Sequence, residues 1–406
     1  MRWSNFFHIY QPPAWDEAII RRATDEAYLP FIHILQSHPD LRVTLNITGS
    51  LTEQLLALGL TSVIDGIRSL AERGQIELVG SAMYHPILPL LPSDEVVRQI
   101  TLQTEYYKKV FGSAFAPKGF YCPEMAYGPD LDDCLLAQGF AWVIVDEIAL
   151  DGIGRPAVDH GYRSPSGLLV LLRNRFMSDF LAFRAGIDQP KEAAQAIRDD
   201  ARSQRGLVTA MDGENLGHHR HGVDRLWGFL VTQPDIETLT LSEFLAVGDT
   251  PVEAHPRASS WASQESEMAA NIPYGLWKHP SNPIHALQWR LTHTIIEAVK
   301  KATADPQFAT ARRLLDQGLT SDKYWWASAS PWWDTTIIIR ETQKLADVIA
   351  PLTTVTVKTR NEVERLMQQL TTTVELWEKT GLAKQRQTTY LSTSGNVHFL
   401  GGQRVS

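Results

Sequence analysis

The chain has 406 residues, of which 44% are hydrophobic, and it carries a formal net charge of −8. This length allows a large core and suggests roughly two or three domains. A single barrel can also take up ~250 residues as one domain. The acidic balance argues against a nucleic-acid partner, and two cysteines in so long a chain indicate a reducing compartment rather than a disulfide framework. The N-terminus does not look like a signal peptide, and no apolar stretch reaches the ~18 residues of a membrane span. We therefore expect a cytoplasmic protein with no membrane partner.

Short β-type runs alternate with helical stretches from the first residues onward. The predicted strands cover residues 6–10, 41–47, 76–79, 120–122, 142–145, 168–172, 206–211 and 236–241. The predicted helices cover residues 16–36, 51–58, 62–73, 93–111, 131–138 and 190–203, with a short one near Phe244. This alternation is typical of a parallel sheet covered by helices, and seven or eight strands suit a closed barrel. A doubly wound open sheet is the competing architecture, but no G-x-G-x-x-G turn follows the first strand.

The pattern changes after about residue 261, where helices are predicted at 284–301, 305–317, 334–350 and 355–379. We predict a barrel domain over residues 1–262 and a helical domain over 263–382 that contributes to the active site. Residues 383–406 are predicted to form a polar, turn-rich tail that either pairs as an edge or is disordered.

Two predicted strands end in carboxylates. Asp212 and Glu214 follow the apolar run at 206–211, and Glu124 follows the strand at 120–122. Because barrel enzymes carry their chemistry at the C-terminal ends of strands, these acids are expected at the barrel mouth. Paired carboxylates beside aromatic residues indicate glycosidic-bond chemistry. The alternative is that Asp212 and Glu214, on either side of Gly213, cap a helix or form a salt bridge.

Other candidate residues each have a structural alternative. His8 is placed to bind a sugar hydroxyl or to be a satisfied core histidine. Glu77 lies inside an apolar strand, so it is either hydrogen-bonded in the barrel interior or part of a site. Asp322 either approaches the barrel mouth or begins a helix. The histidines at 218, 219 and 221 have no companion cysteines or suitably spaced acids, so no metal site is predicted.

The order of these motifs resembles glycoside hydrolase family 57, which acts mainly on α-glucans. The shared motifs are His-x-Tyr-Gln-Pro at 8–12, Ile-Glu-Leu-Val-Gly at 76–80, Pro-Glu at 123–124, Asp-Gly-Glu at 212–214 and Ser-Asp-x-Tyr-Trp at 321–325. The resemblance implies an α/β fold, namely an incomplete (β/α)7 TIM-like barrel followed by a C-terminal helical domain.

The same resemblance implies roles for individual residues. Glu124 is the expected nucleophile and Asp212 the expected general acid/base of a retaining mechanism. The predicted substrate-binding residues are His8, Tyr10, Gln11, Glu77, His85, Glu214, Asp322 and Trp325. Tyr10 stands where the family often has a second histidine. A phenol hydroxyl lies farther from the backbone than an imidazole nitrogen, so we expect this difference to affect which sugar is selected.

The predicted function is that of a retaining α-glycoside hydrolase or transglycosidase acting on α-1,4-glucans, amylase-like or 4-α-glucanotransferase-like, with no cofactor. One alternative is a metal-dependent carbohydrate deacetylase or mannosidase on a related barrel, which needs closely spaced Asp or His ligands. The other alternative is a non-catalytic glucan-binding homologue. The sequence leaves open the oligomeric state and whether water or a sugar is the acceptor.

Overall fold

A computed structural model describes residues 1–13, 15–200 and 205–393. The chain forms two compact units. The first, the barrel unit, contains Met1–Met83 and Leu88–Trp261, and the second, the helical unit, contains Tyr84–Ile87 and the described residues from 262 onward. No helix in the described ranges combines the length and hydropathy that crossing a bilayer requires.

The strands of the barrel unit are mostly short and buried. They are β1 (Arg2–Ile9), β2 (Val43–Ile47), β3 (Ile76–Leu78), β4 (Gly119–Tyr121), β5 (Trp142–Asp146), β6 (Gly161–Arg163), β7 (Leu169–Arg173), β8 (Leu207–Asp212), β9 (Glu237–Leu239) and β10 (Val252–Glu253). Every strand that the sequence predicts is present. Strands β6 and β10 were not predicted, because runs of two or three residues are too short to show a period.

Seven of these strands surround a common interior. One sheet has the order β3-β2-β1-β8, with β9 also paired to β1, and the other has the order β10-β6-β7-β5-β4. A single parallel bridge between Gly80 and Phe120 joins β3 to β4. A hydrogen bond from the Asn174 N–H to the Val208 carbonyl (2.8 Å) joins the end of β7 to β8. The barrel is therefore continuous around β8, β1, β2, β3, β4, β5 and β7, with two weak seams.

Helices cover the outside of the barrel unit. They are α1 (Glu17–Ala23), α2 (Leu29–Ser37), α3 (Gly49–Ala57), α4 (Thr61–Glu72), α5 (Ser93–Phe111), α6 (Asp132–Ala137), α7 (Arg175–Asp179), α8 (Pro190–Asp199), α9 (Val223–Val231) and α10 (Leu241–Val247). A π-helical turn, Thr24–Tyr28, joins α1 to α2, so the helix predicted at 16–36 is present with this interruption. The predicted helix at 190–203 ends at Asp199, and residues 201–204 lie outside the described residues.

Alternation along β1 separates two cores. Trp3, Phe7 and Ile9 pack with the covering helices, whereas Phe6 faces the interior. The interior core also contains Val79, Tyr121, Ile144, Leu171, Val208 and Ala210. Since the strands of the ring are parallel to one another, their C-terminal ends meet at one end of this interior.

The helical unit consists mainly of helices in the part of the chain that the structure describes. Its helices are α11 (Glu265–Ala269), α12 (Pro283–Lys301), α13 (Phe308–Gly318), α14 (Asp322–Trp325), α15 (Thr335–Ala346), α16 (Val357–Lys379) and α17 (Leu382–Thr393). Helix α17 occupies the beginning of the predicted turn-rich tail. Its apolar residues follow no helical period, which is why the pattern did not predict a helix there. Residues 394–406 of that tail lie outside the described residues.

Candidate active site

The polar residues of the barrel interior gather at the C-terminal ends of the strands. His8, near the end of β1, pairs in register with Asp212 on β8 and with Asn46 on β2. Tyr121 ends β4, three residues before Glu124. The charges of Glu124 and Asp212 both raise the pKa of Tyr121, after burial, which is the largest cause. The two acids that the sequence singles out therefore act on one shared neighbour at one end of the barrel.

Glu124 is held in an unusual backbone conformation. It lies in a single 3-10 turn, Pro123–Met125, with a φ of 61°, and Met125 follows with a φ of 46°. Positive φ costs a non-glycine residue about 1 kcal/mol or more and is often found at functional sites. The Glu124 Oε2 atom accepts a hydrogen bond from the Trp261 indole N–H (3.0 Å). The strained turn and the indole together fix the direction of the carboxylate.

Asp212 is the last residue of β8, and the glycine after it is required by packing. A Cβ atom on Gly213 would lie 2.3 Å from the Ile9 Cγ2 atom, so only glycine lets β8 end this close to β1. Burial raises the pKa of Asp212 to about 7, and the charge of Arg173 opposes this rise. Asp212 can therefore carry a proton near neutral pH, which a general acid needs.

Glu214 is deeply buried and held by three donors. Its Oε1 atom accepts hydrogen bonds from the Tyr28 hydroxyl (2.5 Å), the Tyr10 N–H (3.1 Å) and the Gln11 side chain (3.3 Å). Burial raises the pKa of Glu214, and the nearby charge of Asp212 raises it further. The predicted residues Tyr10, Gln11 and Glu214 thus form one network beside Asp212.

The π-helical turn Thr24–Tyr28 explains how Tyr28 reaches this network. The turn packs against the chain after Asp212 so closely that a Cβ atom on Gly217 would lie 2.0 Å from the Glu26 carbonyl oxygen. Single π-turns often mark functional sites because they redirect one side chain out of the regular helical order. Sequence reasoning missed Tyr28, because its local sequence does not distinguish it from an aromatic residue of the helix core.

His8 is neutral and packed between aromatic rings. Burial lowers the pKa of His8 to about 3. Its Nδ1 atom donates to the Asn46 Oδ1 atom (2.8 Å), since that oxygen can only accept. The ring centroid lies 4.6 Å from that of Tyr121 and 6.1 Å from that of Trp261. The structure therefore places the predicted binding residue His8 with the two acids.

A buried ion-pair network supports the site from β5 and β7. The Asp146 carboxylate accepts hydrogen bonds from Arg173 Nε (2.6 Å) and from Arg175 Nη2 (2.6 Å). Arg173 also donates to the Ala210 carbonyl (3.1 Å) and to the Trp261 carbonyl (3.3 Å). Arg173 thereby connects β8, two residues before Asp212, with the tryptophan that contacts the other acid.

Replacing Asp146 with Asn is expected to lower the free energy of unfolding by about 3 kcal/mol or more, because two buried guanidinium groups lose their anionic partner. Denaturant unfolding monitored by tryptophan fluorescence measures this loss. Asp235→Asn is the matched control, since it removes a surface pair in which Arg198 donates to Asp235 (2.7 Å). Equal stability of the two variants would contradict the structural role assigned to Asp146.

The structure does not bring Glu77 to this cluster. Glu77 pairs in register with Thr44, near the N-terminal end of β2. Its carboxylate accepts hydrogen bonds from the Thr44 hydroxyl (3.0 Å) and from the Ser242 N–H (3.1 Å) and hydroxyl. Burial raises the pKa of Glu77, and the Ser242 donors oppose the rise. Glu77 thus connects β2 to the first turn of α10, and its expected contact with substrate stays a prediction.

The Glu77→Ala variant is expected to lose about 1–3 kcal/mol of unfolding free energy, because buried donors on Thr44 and Ser242 lose their acceptor. Turnover measured well below its Tm separates the two roles, because a wild-type value means that Glu77 is structural only. Glu72→Ala, at the exposed end of α4, serves as the control with a change within about 0.5 kcal/mol. A stable Glu77→Ala protein with strongly reduced turnover would support the predicted contact between Glu77 and substrate.

The remaining predicted binding residues belong to the helical unit. His85 Nδ1 lies 3.0 Å from the Ser321 hydroxyl, and the Ser321 N–H donates to the His85 carbonyl (3.0 Å). Asp322 begins α14 and is buried, and the half-buried Trp325 packs against Trp332 with ring centroids 5.1 Å apart. The motif at 321–325 and the segment at 84–87 are thus assembled with each other.

The histidines at 218–221 have other partners. His218 Nδ1 lies 2.7 Å from the Glu26 carboxylate, and His219 Nδ1 lies 3.1 Å from the Asn215 side-chain oxygen. Within residues 1–13, 15–200 and 205–393, no three His, Cys, Asp or Glu side chains are grouped so that they could hold a metal ion.

The structure thus has a seven-stranded parallel barrel with acids at the C-terminal ends of its strands, and the family model for glycosyl hydrolase family 57 matches residues 4–255. The chain belongs to this family, as the motif order predicts. Its predicted α/β fold, the incomplete (β/α)7 barrel followed by helices, is confirmed as well.

Relatives and solved structures of the family match different fractions of this chain. An α-amylase of Pyrococcus horikoshii is 29% identical over 215 residues, which is 52% of this chain and 33% of the relative. The 4-α-glucanotransferase structure from Thermococcus litoralis has a TM-score of 0.68 and 18% identity, covering 86% of this chain and 58% of that one. A branching enzyme structure from Pyrococcus horikoshii has a TM-score of 0.68 and 16% identity, covering 90% and 94%. The match thus spans only about a third of the α-amylase.

Proposed function

We propose that this protein cleaves or transfers α-1,4-glucans by a retaining double-displacement mechanism. The carrying observation is that Trp261, which donates to Glu124 (3.0 Å), has its ring centroid 6.1 Å from that of His8, the register partner of Asp212. The family membership supports the proposal, as do the names α-amylase and 4-α-glucanotransferase among its relatives.

In the first step, the Glu124 carboxylate forms a bond to the anomeric carbon while the glycosidic C–O bond breaks. Asp212, protonated because burial raises its pKa, gives its proton to the leaving oxygen. The Trp261 indole N–H donates to the Oε2 atom of Glu124 and so holds the carboxylate in place.

In the second step, Asp212 takes a proton from water or from a sugar hydroxyl, and the resulting nucleophile displaces Glu124 from the anomeric carbon. Water gives hydrolysis, and a sugar hydroxyl gives transfer. The neutral ring of His8 and the network around Glu214 line this end of the barrel and are proposed to orient the glucose unit. The binding roles of His85, Asp322 and Trp325 rest on the motif resemblance and stay predictions.

Incubation with maltoheptaose followed by chromatography tests the proposal. Shorter products alone indicate hydrolysis, and a ladder of longer chains indicates transfer. Binding without any product would favour a non-catalytic glucan-binding homologue. Loss of activity with a chelator and its return with zinc would favour the metal-dependent alternative. Cytoplasmic location and activity without a cofactor also stay predictions.

A further inference from the structure

Side chains help to close the seam between β7 and β8. The Asn174 N–H donates to the Val208 carbonyl (2.8 Å), and the Ala210 N–H donates to the Ser178 hydroxyl (3.0 Å). The Ala210 carbonyl accepts a hydrogen bond from Arg173 Nη1 (3.1 Å). Both backbone groups that Ala210 could offer to a neighbouring strand therefore bond to side chains from β7 and α7. The position of β8 at this seam depends on those side chains.

The two acids proposed to react lie on opposite sides of the seam. Asp212 ends β8, two residues after Ala210, and Glu124 follows β4, which belongs to the same sheet as β7. The Nη2 atom of Arg173 donates to the Trp261 carbonyl (3.3 Å). Trp261 in turn donates to Glu124 through its indole N–H (3.0 Å) and its backbone N–H (3.3 Å). One guanidinium group thus connects the chain segments that carry both acids.

Arg173 is itself held in place by charged neighbours. Its Nε atom donates to Asp146 (2.6 Å), and its Nη2 atom lies 3.8 Å from the Asp179 carboxylate. Burial lowers the pKa of Arg173, but the charges of Asp146 and Asp179 outweigh burial and raise it, so the group stays charged. A guanidinium group offers five donors in a fixed plane, whereas a lysine offers one nitrogen. A lysine at position 173 therefore cannot reach all of these acceptors at once.

We propose that Arg173 is a positioning residue, which sets the separation of Glu124 and Asp212 across the seam and whose charge favours the ionised form of Asp212. The inference rests on the proposed function and adds to it a residue that acts through the two acids. Their separation matters because the nucleophile and the acid of a retaining enzyme lie about 5–5.5 Å apart. The ionised form matters because Asp212 must accept a proton in the second step.

Other titratable groups also face Asp212, and the variants below leave them unchanged. They are His8 on β1, Tyr28 in the π-helical turn, Tyr121 on β4 and Glu214 after β8. Burial lowers the pKa of His8 and raises the pKa of both phenols, so these three stay neutral near pH 7. Burial raises the pKa of Glu214 to about 8, close to that of Asp212. Each pH profile is therefore compared with that of the wild type.

The test of the positioning role compares Arg173→Lys with Arg175→Lys, because both arginines donate to the Asp146 carboxylate (2.6 Å). Both variants should have a lower Tm. Arg173→Lys should also lower kcat for maltoheptaose by about 10²-fold with little change in KM, since a displacement of about 1 Å between reacting groups has an effect of that size. Arg175→Lys should keep kcat within about 3-fold of the wild type. Circular dichroism checks that both variants are folded.

Two further variants test the charge separately from the hydrogen bonds. Arg173→Gln removes the positive charge, so the fall of kcat/KM at alkaline pH should move to higher pH by about one unit or more. Arg173→Lys keeps the charge and should leave this fall near its wild-type pH. Asp179→Asn removes an anion that offsets the Arg173 charge and leaves both carbonyl bonds of Arg173 in place, so the fall should move to lower pH.

The opposite outcomes overturn the inference. Wild-type kcat in a folded Arg173→Lys protein would do so, as would equal kcat losses in the two lysine variants, because Arg173 would then be structural only. An alkaline fall that stays in place in Arg173→Gln would contradict the effect of its charge. If the variants at position 173 do not fold, Asp179→Asn decides, and an unmoved profile overturns the inference. A wild-type protein that does not convert maltoheptaose overturns the proposed function itself, which separates the two failures.

Discussion

Replacing Glu124 with Ala is expected to lower kcat for maltooligosaccharides by about 10⁴-fold or more, because the group that forms the covalent intermediate is removed. The strained turn that holds this residue and the indole bond from Trp261 direct the carboxylate. Initial rates with maltoheptaose measure the loss. Glu237→Ala, an exposed carboxylate on β9, is the control and should retain wild-type turnover.

Azide distinguishes loss of the nucleophile from general damage. In Glu124→Ala the small anion can occupy the space of the carboxylate and attack an aryl α-maltoside directly, giving a β-glycosyl azide by inversion. Asp212→Ala should instead give an α-glycosyl azide, because azide then displaces Glu124 from the covalent intermediate. The opposite assignment of products would exchange the two roles, and no rescue in either variant would argue against the double displacement.

Asp212→Asn is expected to lower kcat by about 10²-fold to 10⁴-fold on maltooligosaccharides, whose leaving oxygen needs a proton. The first step with a nitrophenyl maltoside should be much less affected, because nitrophenolate leaves without protonation. Burst kinetics measure this step apart from the second one. Equal losses of the first step on both substrates would contradict the general-acid role.

The pH dependence of kcat/KM follows from the burial of Asp212. Because burial raises the pKa of Asp212 to about 7, the acid is protonated below that pH and ionised above it. We therefore expect kcat/KM of the wild type to fall as pH rises through about 7, and this limb should be absent from Asp212→Asn. A wild-type profile that stays flat to pH 9 would contradict the assignment.

Local patterns predicted most of the framework. Apolar runs that end in acids placed Asp212 and Glu124 at strand ends, and the alternation of strands and helices predicted a covered parallel sheet. The same patterns could not distinguish the two ends of the barrel for Glu77, because a carboxylate inside a short strand has the same local sequence whether it binds Ser242 or a ligand. The partner that decides the matter is far away along the chain.

The sequence by itself determined the fold class and the family and singled out the two acids proposed to react, since these depend on periodicity and on motifs that are local in the chain. Only the tertiary structure decided which groups surround the acids: Trp261 on Glu124, Arg173 beside Asp212, and Tyr28 on Glu214. The physical reason is that burial and charge set the proton affinity and direction of a carboxylate. Both quantities come from residues brought together by folding, which no stretch of sequence contains.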